Sequence, residues 1–267
     1  LEAWPFAAAA LGILAVHEFG HYIMSRYHEV EASLPYFLPF PNVLGTLGAV
    51  IRMNDNIPDR KALFDIGVAG PLAGLVATVG VTAVGVTLDP IRVSGGIVSQ
   101  VELGYPLLIR GIAALLGEQV VYSDPNRIAN PVVIAGWVGA FVTFLNLLPV
   151  GQLDGAHIAR SLLGDRMSTL QLLVPGALFA LAAYLFVFEG GNAAVLWGFW
   201  GVLSLLFSRA GSATPLDEAP LGAGRHAVGL LTLLLGALCF LPVPIVIAFY
   251  GLAQGCLMPY WSYSVRL

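Results

Sequence analysis

Two imidazoles and a carboxylate stand together at His17-Glu18-Phe19-Gly20-His21, inside a run that is otherwise apolar enough to cross a membrane. On a helix advancing about 100° per residue, positions 17 and 21 lie one turn apart on nearly the same face, so both rings can reach one ion. That is the spacing of a zinc-binding histidine pair. Glu18 lies on the neighbouring part of the surface, where a carboxylate meets an activated water rather than the metal and can serve as general base in hydrolysis. Ionisable groups in hydrocarbon are costly, which favours a functional reading of the cluster. Its competitors are a hydrogen-bonded polar seam between helices, and a proton or metal-ion path.

A catalytic zinc site takes three protein ligands and keeps a fourth position for water. The third is sought in Asn146-Leu147-Leu148-Pro149-Val150-Gly151-Gln152-Leu153-Asp154-Gly155-Ala156-His157. Pro149 and Gly151 free backbone groups there, and Asp154-Gly155 sets a carboxylate beside a residue with no side chain. Asp154 fits the need; the alternative is a helix-capping aspartate ahead of Ala156 to Leu163. His157, three residues on, is a rival ligand or a partner that orients one. The Asn146 amide can bind a peptide carbonyl or a developing oxyanion.

The elements that must position these groups are membrane helices. Hydrophobic residues make up 58% of the 267, charged residues 10%, and the mean hydropathy is +0.83, against about 25% charged in globular proteins. A net charge of −4 offers no basic footprint for nucleic acid. Cys239 and Cys256 have no CxxC spacing and no neighbouring histidine, so neither a zinc knuckle nor a disulfide framework is indicated. Apolar runs over residues 3–26, 62–88, 131–148, 168–188, 193–208 and 226–253 predict an all-α polytopic membrane protein of about six transmembrane helices.

Residues 31–53 are the exception, because Pro35, Pro39 and Pro41 break any helix in a stretch that is still apolar. A re-entrant segment near residues 35–53, dipping into the membrane while packed on protein, is expected. Within it Gly45-Thr46-Leu47-Gly48-Ala49-Val50-Ile51 reads as a short strand with small residues. Gly45, Thr46, Leu47 and Gly48 are therefore candidate contacts for an extended peptide, unless the hairpin only packs. Ala69 to Gly74 carries two glycines four apart, a face for close helix approach, with Pro71 as a kink. Asp65 reads as a carboxylate favoured by a helix N-terminus, and His28, Glu189 and His226 as interfacial residues. Residues 89–130 form a polar connection with a short amphipathic helix over 106–116, too short for a folded accessory domain.

Taken in order, the His17 to His21 helix, the Gly45 to Ala49 strand, the Ala69 to Gly74 element and the Asn146…Pro149…Leu153-Asp154-Gly155 segment resemble the site-2 protease family of intramembrane zinc metalloproteases. The resemblance covers residues 3–165. It implies one Zn²⁺ per chain held by His17, His21 and Asp154, water activation by Glu18, and substrate contact by Asn146. Ala156 stands where many relatives have a second glycine. With no room for an inserted PDZ domain, the chain resembles a minimal branch. Residues 1–165 then form the catalytic membrane core, and 166–267 supply C-terminal transmembrane helices as scaffold or gate.

With six spans, eight of the twelve basic residues (Arg26, Arg52, Arg60, Lys61, Arg160, Arg166, Arg209 and Arg225) fall on one side. That side is expected to be cytoplasmic, and both His21 and Asp154 approach it. The chain opens at Leu1 without methionine or signal-peptide leader, so an upstream helix or leader is expected. The expectation is a multi-pass, zinc-dependent intramembrane endopeptidase acting on transmembrane segments, in regulated intramembrane proteolysis, with its active site toward the cytoplasm. Its partners would be membrane lipid and a single-span or membrane-anchored protein substrate, with no nucleic acid. The alternative is a non-catalytic zinc-binding or metal-transporting membrane protein.

Overall fold

A computed structural model describes residues 3–39, 46–53, 57–92, 99–122, 127–189, 191–211, 213–253 and 256–259. The chain opens with α1 (Trp4–Tyr27), started by Pro5 in its first turn and ended with Arg26 against the C-terminal dipole. Two short strands follow, β1 (Tyr36–Pro39) and β2 (Thr46–Val50), paired antiparallel with Phe37 opposite Ala49. An Ala32–Met53 bridge continues this hairpin at its base. The hairpin near residues 35–53 thus stands as an extended pair, with its turn and Gly45 outside the described residues.

α2 (Arg60–Val86) is capped by Asp59, whose carboxylate accepts from the Ala62 N–H at 2.7 Å. It runs beside α1 and carries Pro71 inside it. Beyond it lie β3 (Ile91–Arg92), β4 (Ser99–Leu103), the amphipathic α3 (Leu107–Leu116) and β5 (Arg127–Ile128). α4 (Pro131–Asn146) delivers the chain to the aspartate turn, and α5 (Asp154–Leu163) begins at the aspartate itself. A single 3₁₀ turn joins α5 to α6 (Met167–Phe188), followed by α7 (Gly191–Ala210) and α8 (Ala223–Leu238).

Among the described residues three helical stretches are long and apolar enough to cross a membrane: Trp4–Tyr27, Arg60–Val86 and Asp154–Phe188. The expected run over 131–148 stops at Asn146, and its 16 residues reach only about 24 Å at about 1.5 Å per residue, short of a core of about 30 Å. The expected span over 226–253 is not one helix. α8 ends at Leu238, Pro242 and Pro244 interrupt the chain, and Ile245–Ala253 becomes strand β6, which pairs with β4 and with β7 (Cys256–Pro259). Proline cannot supply a helical N–H, and Ile-Val-Ile-Ala-Phe-Tyr is β-branched and aromatic, so the strand wins there.

Asp65, near the start of α2, is paired with two basic groups at other helix ends. Arg225 donates through Nε and Nη2 to the two Asp65 oxygens, both at 2.8 Å, and His28 Nε2 lies 3.0 Å from Asp65 Oδ2. This triad joins the end of α1 to the starts of α2 and α8. Trp197 is fully buried where α4, α6 and α7 meet, its indole N–H donating to the Pro242 carbonyl at 2.6 Å. α6 and α7 turn Leu172, Phe186, Val195 and Phe199 outward, a surface suited to lipid.

Asn130 closes the other end of the bundle. Its Oδ1 accepts from the Val132 and Val133 N–H groups at the start of α4, and its Nδ2 donates to the Gly85 carbonyl at the end of α2. Asn130→Ala removes the cap and orphans a buried carbonyl, an expected loss of about 2 kcal/mol. Asn130→Asp, which keeps the cap, is expected to lose less; detergent-phase unfolding of both variants and wild type measures the difference.

Candidate metal centre

The histidine pair projects from α1 toward α2, with His17 4% and His21 7% exposed. α2 makes room for it with glycine. A Cβ at Gly70 would run into the His21 imidazole, and one at Gly74 would stand 2.9 Å from His17 Nδ1. The rings are thus roofed by bare backbone. Pro71 lacks an N–H for the carbonyl one turn back, which loosens the ladder at this level, and the neighbouring Ile66 carbonyl lies 2.9 Å from His21 Nδ1. A proton held on Nδ1 by that carbonyl leaves Nε2 with its lone pair free.

Asp154 arrives from the opposite side. The turn after α4 folds back so closely that a Cβ at Gly155 would collide with the Leu147 carbonyl, so the residue after the aspartate must be bare. Asp154 Oδ2 lies 3.1 Å from His17 Nε2, Asp154 Oδ1 lies 3.1 Å from His21 Nε2, and the two Nε2 atoms are 3.2 Å apart. These three side chains form a group able to hold a metal ion. Ligands at about 2.0–2.1 Å from a tetrahedral zinc are separated by about 3.3 Å. The donor atoms already stand at nearly that spacing, and two imidazoles with one carboxylate are zinc's own ligand types.

Glu18 is outside this group and lines the same cavity as the three donors. Asn146, the last residue of α4, holds its Nδ2 at 3.4 Å from His17 Nε2. His157 lines the same cavity but is not one of the three converging donors. The cavity encloses about 540 Å³. Ala49, Ile51 and Met53 form one wall, the two-residue repeat of an extended chain. Thr46, Leu47 and Gly48 precede them in and along β2.

Sequence alone marks Gly70 and Gly74 only as a helix-approach face, yet they are the roof of the histidines. The signal is present in the spacing: His17 and His21 are four apart, and so are Gly70 and Gly74. Ala213 and Thr214, between α7 and α8, also line the cavity. No local pattern marks them, because chain folding alone brings them there.

A buried two-histidine, one-aspartate centre among membrane-length helices defines a class, and the sequence comparison agrees with it. The chain belongs to peptidase family M50, whose sequence model matches residues 5–188. It is 34% identical over 250 residues to the probable chloroplastic zinc metalloprotease EGY1 of Arabidopsis thaliana, and 32% identical over 253 residues to EGY1 of Oryza sativa subsp. japonica. It is 30% identical over 245 residues to the probable chloroplastic zinc metalloprotease EGY2 of Arabidopsis thaliana. These matches take in 90%, 91% and 91% of this chain but only 43%, 41% and 42% of those relatives.

Gly70→Ala should therefore act on the metal rather than on the bundle. Zinc affinity is expected to fall about 10–100-fold, as when a group that orients a ligand is lost, whereas Val76→Ala on the exposed side of α2 leaves it unchanged. Zinc titration of the purified variants decides; full affinity in Gly70→Ala contradicts the roof.

Proposed function

We propose that the chain is a zinc-dependent intramembrane endopeptidase, holding one zinc per chain and cutting a peptide bond in or beside a transmembrane segment of another protein. The observation that carries this reading is the convergence of three donors at 3.1–3.2 Å, with Glu18 beside them, on one cavity. His17, His21 and Asp154 hold the ion. Zinc supplies Lewis acidity there, polarising a carbonyl and lowering the pKa of a water to about 7.

The remaining steps belong to the chain's own side chains. Glu18 takes a proton from the attacking water as oxygen adds to the scissile carbonyl carbon, then passes it to the nitrogen as the C–N bond breaks. The Asn146 amide donates to the carbonyl oxygen as negative charge grows on it. His157, one helical turn beyond Asp154, borders the same space and orients groups within it. Among the described lining residues there is no lysine or arginine, so a terminal carboxylate finds no cationic partner. That favours cleavage within a chain over trimming from its C-terminus.

A helix hides its own carbonyls, so the substrate must unwind before it is cut. β2 offers a rail for the unwound segment: Thr46, Leu47 and Gly48 lie on a strand that leads into the cavity wall at Ala49 and Ile51. The substrate class is a single-span or membrane-anchored protein reached from the lipid, as in regulated intramembrane proteolysis. The basic residues Arg26, Arg60, Arg160 and Arg225 lie near helix ends joined by the Asp65 triad and by an Arg60 bond to the Ser161 carbonyl. Such a concentration supports a cytoplasmic placement of this end, and of the site near it.

Cleavage of labelled transmembrane peptides in detergent tests the reading. Glu18→Gln is expected to lower kcat by about 10²–10⁴-fold while zinc is retained, and chelation should abolish cutting until zinc is restored. Cleavage unaffected by either treatment contradicts it; zinc bound with no peptide cut would favour a binding or transport role. For the rail, Leu47→Pro is expected to lower kcat/KM about tenfold, roughly one lost hydrogen bond. Unchanged cleavage by a zinc-loaded Leu47→Pro protein excludes strand pairing.

A further inference from the structure

The connection between α7 and α8 borders the cavity at Ala213 and Thr214. It leaves α7 beside the aspartate turn, where a Cβ at Gly151 would stand 2.7 Å from the Phe207 carbonyl oxygen. It lands on the opposite wall as a strand-like strap. The Leu216 N–H donates to the Ile57 carbonyl at 3.0 Å, the Asp217 N–H to Pro58 at 3.2 Å, and the Arg60 N–H to Asp217 at 3.0 Å. Ion pairs from Arg160 of α5 to Glu218, and from Arg225 to Asp65 of α2, clamp the far end to the helix bearing Asp154 and the helix that roofs the histidines.

Between these anchors Ala213 and Thr214 line the cavity. Ala213 and Met53 pack on the buried cluster of Ile57, Ala62 and Leu63, and Met53 is held in turn by a contact from Ser25 Oγ at 3.4 Å. Met53, Ile57 and Ala213 all line the cavity and carry no charge, so they form an apolar patch at the end of the Ala49, Ile51, Met53 wall. A peptide extended along that wall turns alternate side chains to the same side, and one of them meets this patch. The methyl group of Ala213 is the smallest of the three side chains, so a substitution there changes the room left beside the wall.

We propose that Ala213 is a specificity-determining residue of the peptide site. Beside it the apolar patch takes a medium-sized apolar side chain (Val, Leu or Ile) from a residue flanking the cleaved bond, and disfavours charged ones. This rests on the peptidase reading above. It also gives residues 166–267 a direct part in substrate choice, beyond a scaffold.

The test is cleavage-site mapping by mass spectrometry on transmembrane peptides that carry Gly, Ala, Leu, Phe or Asp at each position around the cut. Wild type, Ala213→Phe and Ala213→Gly are compared, with zinc content measured for each. The larger side chain in Ala213→Phe is expected to lower kcat/KM for Leu peptides at least about tenfold and to spare Gly and Ala peptides, the usual scale for a few methylenes in a pocket. Ala213→Gly, which removes one methyl and carries the test if the larger side chain disturbs folding, is expected to raise the Phe-to-Leu ratio several-fold. Wild-type preferences in zinc-loaded Ala213→Gly overturn the proposal while leaving the peptidase reading intact. No cleavage by the zinc-loaded wild-type protein overturns that reading, and this proposal with it.

Discussion

Two imidazoles can be carried inside this bundle only because α2 presents no side chain opposite them. His17 and His21 leave α1 toward Gly74 and Gly70, and a methyl group at either glycine would occupy ring space. Everything polar in the site depends on that close approach. With the rings lodged, the Ile66 carbonyl fixes His21, the Gly155 turn brings Asp154 to both Nε2 atoms, and Asn146 falls beside His17. Three unlike segments of chain thereby converge on one point, which is how a donor set costly to bury singly becomes tolerable together.

Several charged and amide groups at the helix ends follow the same rule. Asp65 is shared by Arg225 and His28, Arg160 by Asp165 and Glu218, and Asn130 commits both its amide nitrogen and its oxygen to helix ends. In an apolar surrounding an unpaired charge or amide is strongly unfavourable, so these pairs also record which helix ends are neighbours. The cavity interrupts this pattern by enclosing Glu18 and the His17, His21 and Asp154 donors around open space. Chemistry needs that space.

Much of the site is legible in the sequence because its chemistry is local in the chain. His17, Glu18 and His21 share one helix, and Asp154-Gly155 sits at a turn broken by proline and glycine, where a carboxylate in an apolar stretch calls for a partner. The hairpin is legible from Pro35 and Pro39 within an apolar stretch, since neither a spanning helix nor a solvated loop tolerates that combination. What escapes is non-local. Ala213 reaches the cavity through long-range pairings such as that of Leu216 with Ile57, and hydropathy alone carries the last helix through Pro242 and Pro244 into residues that form β6 instead. Hydropathy measures solvent preference and is silent on backbone conformation, so apolar strands and apolar helices look alike to it. Asp65 escapes for a related reason: its position near a helix start accounts for a carboxylate there without revealing Arg225, 160 residues away in the chain.

The proposed centre is one zinc between α1 and α5, held by two imidazoles and a carboxylate. Zinc-edge X-ray absorption on the purified protein, alongside Asp154→Ala, tests it most directly. The account predicts a four-coordinate nitrogen and oxygen shell at about 2.0–2.1 Å, containing about two imidazoles, and loss of that spectrum in Asp154→Ala. Sulfur at about 2.3 Å, or a wild-type spectrum that survives Asp154→Ala, would contradict it.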